Sequence, residues 1–140
     1  METTLTILKP DSVGAGDLGK ILDHLIGEGF TIRGLKLTRL SEAQARAFYE
    51  VHKERPFYER LVSFMTSGPV VVAALARPSA VAHLREVMGA TDSQKAAAGT
   101  IRARFGTDIE RNAIHGSDSP ENAAREVGFF FSDAELLGAG

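Results

Sequence analysis

Apolar and polar positions change their period segment by segment along this chain, and each period predicts an element. Leu5 and Ile7 alternate with Thr4 and Thr6, the two-residue period of a strand. Leu18, Ile21, Leu22, Leu25 and Ile26 then share one helical stripe, which Asp17 can cap and Gly27 and Gly29 end. Phe30, Ile32, Leu35 and Leu37 make a second strand. Its inward phase flips at Gly34, which predicts a bulge. Ser41-Glu42-Ala43-Gln44 is a capping box that opens the next helix. Pro56 begins another, with Phe57, Leu61, Phe64 and Met65 at helical spacing. Val70 to Ala76 is a continuous apolar run, the pattern of a central strand. Ser79 caps a helix bearing Val81, Leu84 and Met88, closed by Gly89. Residues 90–111 are small and polar without a strong period, and predict a long functional loop. A short strand ending at His115 and a helix from Ser119 complete the chain.

The order is therefore β-α-β-α-α-β-α-loop-β-α. The expected fold class is α/β (α+β): a ferredoxin-like βαββαβ core with a four-stranded antiparallel sheet and additional helices. With no linker or internal repeat, residues 1–140 are expected to form one domain, long enough to bury a sizeable core. The 44% hydrophobic and 24% charged content are ordinary globular values, so a disordered or membrane-embedded chain is not expected. A formal net charge of -2 offers no overall basic footprint for nucleic acid or an anionic membrane. The absence of cysteine excludes disulfides, thiolate metal sites and a thiol nucleophile. No basic segment leads into an apolar one at the N-terminus, and no apolar run approaches membrane-spanning length. The expected location is cytoplasmic.

Candidate chemistry centres on Asn112-Ala113-Ile114-His115-Gly116-Ser117-Asp118-Ser119. One histidine ends a short apolar run. Just beyond it Ser119 can act as N-cap, Pro120 fits the first turn, and Glu121 suits the positive end of the helix dipole. A helix N-terminus is a ready anion site, and a histidine beside it can attack a phosphate. Lys9, pinned by Pro10 at the end of the first strand, joins Arg85, Arg102 and Thr91 as a set able to hold a polyphosphate. Phe57 offers a stacking face for a base, and Tyr49 a hydroxyl that needs a partner if buried. His24, His52 and His83 lack anion context or metal-ligand spacing and read as structural or solvated. Gly14 to Lys20 imitates a phosphate loop between a strand and a helix. However, Ile21 stands where magnesium needs Ser or Thr, and no acid follows the second strand to hold a ribose.

These residues, taken together, resemble the nucleoside diphosphate kinase family. The resemblance runs from Thr6 to Leu136. It is carried by Ile7-Leu8-Lys9-Pro10-Asp11, Arg55-Pro56-Phe57, Met65 to Val71, Gly89-Ala90-Thr91, Gly99-Thr100-Ile101-Arg102 and above all Asn112 to Ser119. It implies that His115 takes the γ-phosphate of a nucleoside triphosphate, mainly ATP, and passes it to a nucleoside diphosphate in a ping-pong cycle through a phosphohistidine. By the same resemblance Lys9 and Asn112 hold the sugar hydroxyls, and Arg85, Thr91 and Arg102 hold the phosphates. Phe57 stacks on the base with Ile109 across from it, Tyr49 neighbours the phosphate site, and Ser117 and Glu126 support the histidine. It implies Mg2+ as cofactor, held by the nucleotide phosphates and water with no protein metal cage, as this ion prefers. It also implies a homo-oligomer, a hexamer or tetramer built from dimers. Asp92-Ser93 and Ala98 depart from the family's usual Asn-Pro and Pro in the long loop, which leaves hexamer, tetramer and a lone dimer all open. A phosphohistidine carrier would need His115 without Lys9, Phe57 and Asn112. An RNA-binding module would need aromatic and basic residues on the strands, which these lack.

Overall fold

Four strands pair into one antiparallel sheet in the computed structural model, which describes residues 1–138. The last two residues of the expected 1–140 domain lie outside the described residues. The strands are β1 (Glu2–Leu8), β2 (Thr31–Thr38), β3 (Val70–Arg77) and β4 (Ile114–Gly116), in the order β2-β3-β1-β4. This is the ferredoxin-like arrangement expected. The helices are α1 (Pro10–Gly14), α2 (Leu18–Gly27), α3 (Glu42–Phe48), α4 (Tyr58–Met65), α5 (Ala80–Met88), α6 (Ile101–Phe105) and α7 (Pro120–Phe130). None is long and apolar enough to cross a membrane.

Both faces of the sheet are covered. Leu5, Ile7, Val70, Val72 and Ala74 pack against Phe48, Val62, Met65 and Val127 of α3, α4 and α7. Leu8, Val71, Ala73, Leu75 and Ile114 pack against Ile21, Leu25, Leu84, Met88 and Ile101 on the other side. That is why β3 is apolar without interruption. It also buries Thr4 and Thr6, the polar half of the alternation in β1. Thr6 compensates by donating its hydroxyl to the carbonyl of His115 at 2.7 Å.

Local signals are obeyed where the backbone lets side chains reach. Ser41 and Gln44 form the capping box, and the Ser119 hydroxyl accepts from Asn122 N. The bulge lies between Ile32 and Gly34 as expected. A Cβ at Gly34 would sit 2.8 Å from the Phe131 ring, so only glycine fits there. Four expectations are corrected. Asp17 and Ser79 stand at N-cap positions, but neither side chain caps. Ser79 is left-handed at φ 53, and Glu2, at the start of β1, supplies the acceptor instead, taking Val81 N at 2.8 Å. Pro56 precedes its helix, and Phe57 is the N-cap residue. Residues 90–111 are not a uniform loop, because Thr100 caps the short α6 within them.

Candidate active site

β1 and β4 lie side by side, with Ile7 opposite His115, so the end of one strand meets the histidine of the other. Gly116 makes this possible. A Cβ there would come within 2.5 Å of Met88 Sδ, so glycine lets α5 press against β4. A cleft of about 560 Å³, a size suited to a small ligand, opens over this junction. Lys9, Tyr49, Phe57, Arg85, Thr91, Arg102, Ile109, Asn112, His115 and Glu126 all line it. Ser117 stands behind, fully buried. The imitation phosphate loop, Gly14 to Lys20, spans the end of α1, a short turn and the start of α2, and does not line the cleft.

His115 Nε2 lies 2.8 Å from Glu126 Oε1, and the Ser117 hydroxyl donates to the same oxygen at 2.8 Å. Burial pulls the Glu126 carboxyl upward, but its bonds to His115 and Ser117 outweigh that and hold it below the usual carboxylate range. Nδ1 is thus the ring nitrogen not engaged by the carboxylate. Phe48 and Tyr49 meet the imidazole edge-on, with centroids at 5.4 and 6.0 Å. The Tyr49 hydroxyl is buried without a hydrogen-bond partner, and burial first, then the Glu126 charge, pushes its pKa up. It remains a phenol, buried in the wall of the cleft that Tyr49 lines.

The cationic set is unevenly committed. Lys9 is buried and donates from Nζ to Asn112 Oδ1 at 2.8 Å. Burial, with Arg102 nearby, lowers its pKa to about 8. Asn112 gives both amide hydrogens to the carbonyls of Thr91 and Ile109, leaving one lone pair of Oδ1 for a ligand. Arg102 holds the carbonyls of Asn112, Gly89 and Ile114. Arg85 makes one long contact, 3.5 Å to Gly116 O, and is freer to move. Phe57 (39% exposed) and Ile109 (63% exposed) leave apolar surface free at the mouth.

Several residues of the cleft escaped the sequence reading, among them His52, Phe48, Asp118 and Arg125. His52 is not merely solvated: it stacks on Tyr49 and leans on Phe57 at 5.4 Å. Phe48 buttresses His115. Asp118 lines the cleft with its carboxyl held below the usual range by Asn122. Arg125 lines it beside Glu126. A helical aromatic reads as core, so only the histidine's neighbours in the sheet could have flagged Phe48. The α7 N-terminus, expected as an anion site, has its Asn122 N–H taken by Ser119.

A model of the nucleoside diphosphate kinase family matches residues 2–136. The chain is 55% identical over 137 residues to a nucleoside diphosphate kinase of a Nitratiruptor species, covering 98% of this chain and 100% of that one. It is likewise 55% identical over 137 residues to that of Chlamydia abortus, covering 98% and 97%. Among solved structures, an Aquifex aeolicus nucleoside diphosphate kinase superposes with TM-score 0.95 at 52% identity, covering 97% of this chain and 99% of that one. A halophilic nucleoside diphosphate kinase from Halobacterium salinarum, solved in complex with CDP, superposes with TM-score 0.94 at 41% identity, covering 99% and 93%.

Proposed function

Because this chain belongs to the nucleoside diphosphate kinase family and is an enzyme of that activity, we propose that His115 is its nucleophile and that residues 1–140 act as one such domain. The observation that carries this is the 2.8 Å contact between His115 Nε2 and Glu126. A carboxylate there accepts the Nε2–H and leaves the lone pair on Nδ1. In the first half-reaction Nδ1 forms a bond to the γ-phosphorus. The bond from phosphorus to the β,γ-bridging oxygen breaks, and its electron pair leaves with the diphosphate. In the second, a terminal oxygen of another diphosphate attacks that phosphorus, and the pair returns to Nδ1. Glu126 faces the ring's remaining N–H and stabilises the charge of the phosphorylated state. Ser117 holds Glu126 in place.

Arg85, Arg102 and Thr91 take the phosphates in this reading, and the Tyr49 phenol lies within the same wall. Lys9 and the free lone pair of Asn112 take the sugar hydroxyls. Phe57 stacks on the base, with Ile109 opposite. Among the described residues no group of three or more His, Asp or Glu could hold a metal ion. In this reading Asp118, whose carboxyl lines the cleft, would accept hydrogen bonds from the waters of a Mg2+ carried by the nucleotide. Such an ion would neutralise phosphate charge as the bridging bond breaks.

The homo-oligomer, a hexamer or tetramer built from dimers, is supported by an edge. β2 ends the sheet, and Leu35 and Leu37 on one face of it are exposed. An apolar edge of this kind is ordinarily covered. A cytoplasmic location rests on the sequence reading alone.

Incubation with γ-labelled ATP tests the nucleophile. The chain should take up acid-labile, base-stable label and pass it to added GDP. His115→Ala should bind nucleotide and take up none; label on that variant would overturn the assignment.

A further inference from the structure

Ala113 has φ 72, and Ser79 is the only other non-glycine residue with positive φ among the described residues. Ser79 lies in an exposed turn, whereas Ala113 is fully buried. Ile114 N bonds to Asn112 O at 2.8 Å, so residues 112–114 form a γ-turn of the rare, positive-φ kind. A residue with a Cβ resists this conformation, so surrounding groups must hold it. Lys9, directly after β1, and the first residues of α1 supply them. Asp11 Oδ2 accepts the Ala113 N–H at 3.1 Å. Lys9 N and the Ser12 hydroxyl donate to the Ala113 carbonyl at 2.9 and 2.8 Å.

This turn stands between two working parts of the cleft. Asn112 on one side is anchored independently by Lys9 Nζ and two carbonyls. His115, two residues beyond Ala113, is the nucleophile of the reading above. The angle of the turn therefore sets where the imidazole stands relative to the nucleotide ligands. Asp11 does not line the cleft. Burial raises its carboxyl pKa against the pull of its backbone bonds, a cost not needed for an exposed turn residue.

We propose that Asp11 is a positioning residue for phosphoryl transfer: by accepting the Ala113 N–H it holds the strained turn that aims His115 at the γ-phosphate. The inference rests on His115 as nucleophile. The test uses Asp11→Ala, Asp11→Asn, Ala113→Gly and the double variant Asp11→Ala/Ala113→Gly. Asp11→Ala should slow single-turnover phosphorylation by ATP about 10²-fold, the effect of a misplaced reacting group, while ADP affinity, measured well below pH 8 where Lys9 keeps its charge, stays as in the unaltered protein. Asp11→Asn keeps an acceptor oxygen and should recover most of the rate. Glycine adopts positive φ freely, so Ala113→Gly should restore much of the rate lost in Asp11→Ala. Hydrogen exchange at the Ala113 amide, slow in the unaltered protein and in Asp11→Asn and fast in Asp11→Ala, reports the clamp whatever the nucleophile. A wild-type rate in Asp11→Ala, a rate in Asp11→Asn as low as that of Asp11→Ala, parallel loss of ADP binding, or no rescue by Ala113→Gly overturns the proposal. If Asp11→Ala does not fold, the Asn variant decides: a slow rate or unprotected Ala113 amide sinks it. Failure of the nucleophile assignment shows separately, as label on His115→Ala.

Discussion

Arg102 and Arg85 carry the same charge into one cleft but are held differently. Arg102 donates three of its five N–H groups to backbone carbonyls, leaving two for a phosphate. Removing it leaves buried acceptors unpaired. Arg102→Ala should lower turnover by about 10²–10³, as for a lost charge-stabilising donor, and lower unfolding free energy by about 1–3 kcal/mol. Arg85→Ala should lower turnover comparably and leave the denaturant midpoint in place. Paired kinetics and urea titration separate the two; equal stability losses would contradict the hydrogen-bond assignment. Lys9 adds a pH dependence. Its folded pKa of about 8 lies below the ordinary 10.5, so its charge is complete below pH 8 and lost as pH rises through that value. A bound nucleotide favours the ammonium. ADP affinity should therefore fall above pH about 8 with proton uptake, and Lys9→Ala should flatten that limb. Calorimetry in buffers of different ionisation enthalpy reads the uptake. The sign for folding is opposite: between the two pKa values the unfolded chain binds the extra proton, so Lys9 contributes stability that increases with pH there.

The helices around the cleft act as brackets for single side chains. α4 begins at Tyr58, which leaves Phe57 at the N-cap with its ring outward. Its partner wall, Ile109, comes from the connection after α6. In the proposed reading these two supply a π-face and aliphatic surface, contacts that read no base edge. Phe57→Ala should weaken GDP, CDP and UDP together by about 1–3 kcal/mol, the value of one base–aromatic stack. Catalytic efficiencies across acceptor diphosphates check this; loss confined to one base would mean a base-reading group has been overlooked. Lys9, Phe57, Arg85, Thr91, Arg102 and His115, singled out by residue identity, and Asn112, supplied by the family resemblance, all line one cleft. His52 was not, because a helix-end histidine carries no periodic signal of what it stacks against. Nor was the capping of α5 by Glu2, which depends on the strand edge reaching the helix start.

At the scale of the molecule, one side of the sheet is unfinished. The last strand-like contact on β2 is Leu137 N with Arg33 O, at 2.9 Å, so the C-terminal segment covers the early part of that edge. Leu35 and Leu37 remain beyond it. Leu37→Lys should shift the protein toward the mass of one chain in light scattering while its monomeric fold persists, because a charge on an open edge discourages pairing. An unchanged mass would place the contact elsewhere. The four strands, the bulge at Gly34, the capping box at Ser41 and the helix start at Ser119 were determined by the sequence by itself. Each depends on backbone geometry within a few residues, and periodicity and caps record that directly. The tertiary structure alone decided that both faces of β1 are buried, that Glu126, expected from the resemblance to support His115, does so through Nε2, and that Asp11 reaches Ala113. The last two partners lie 102 residues apart. Their meeting depends on the register of β1 against β4, which a two-residue alternation states only up to a shift along the strand.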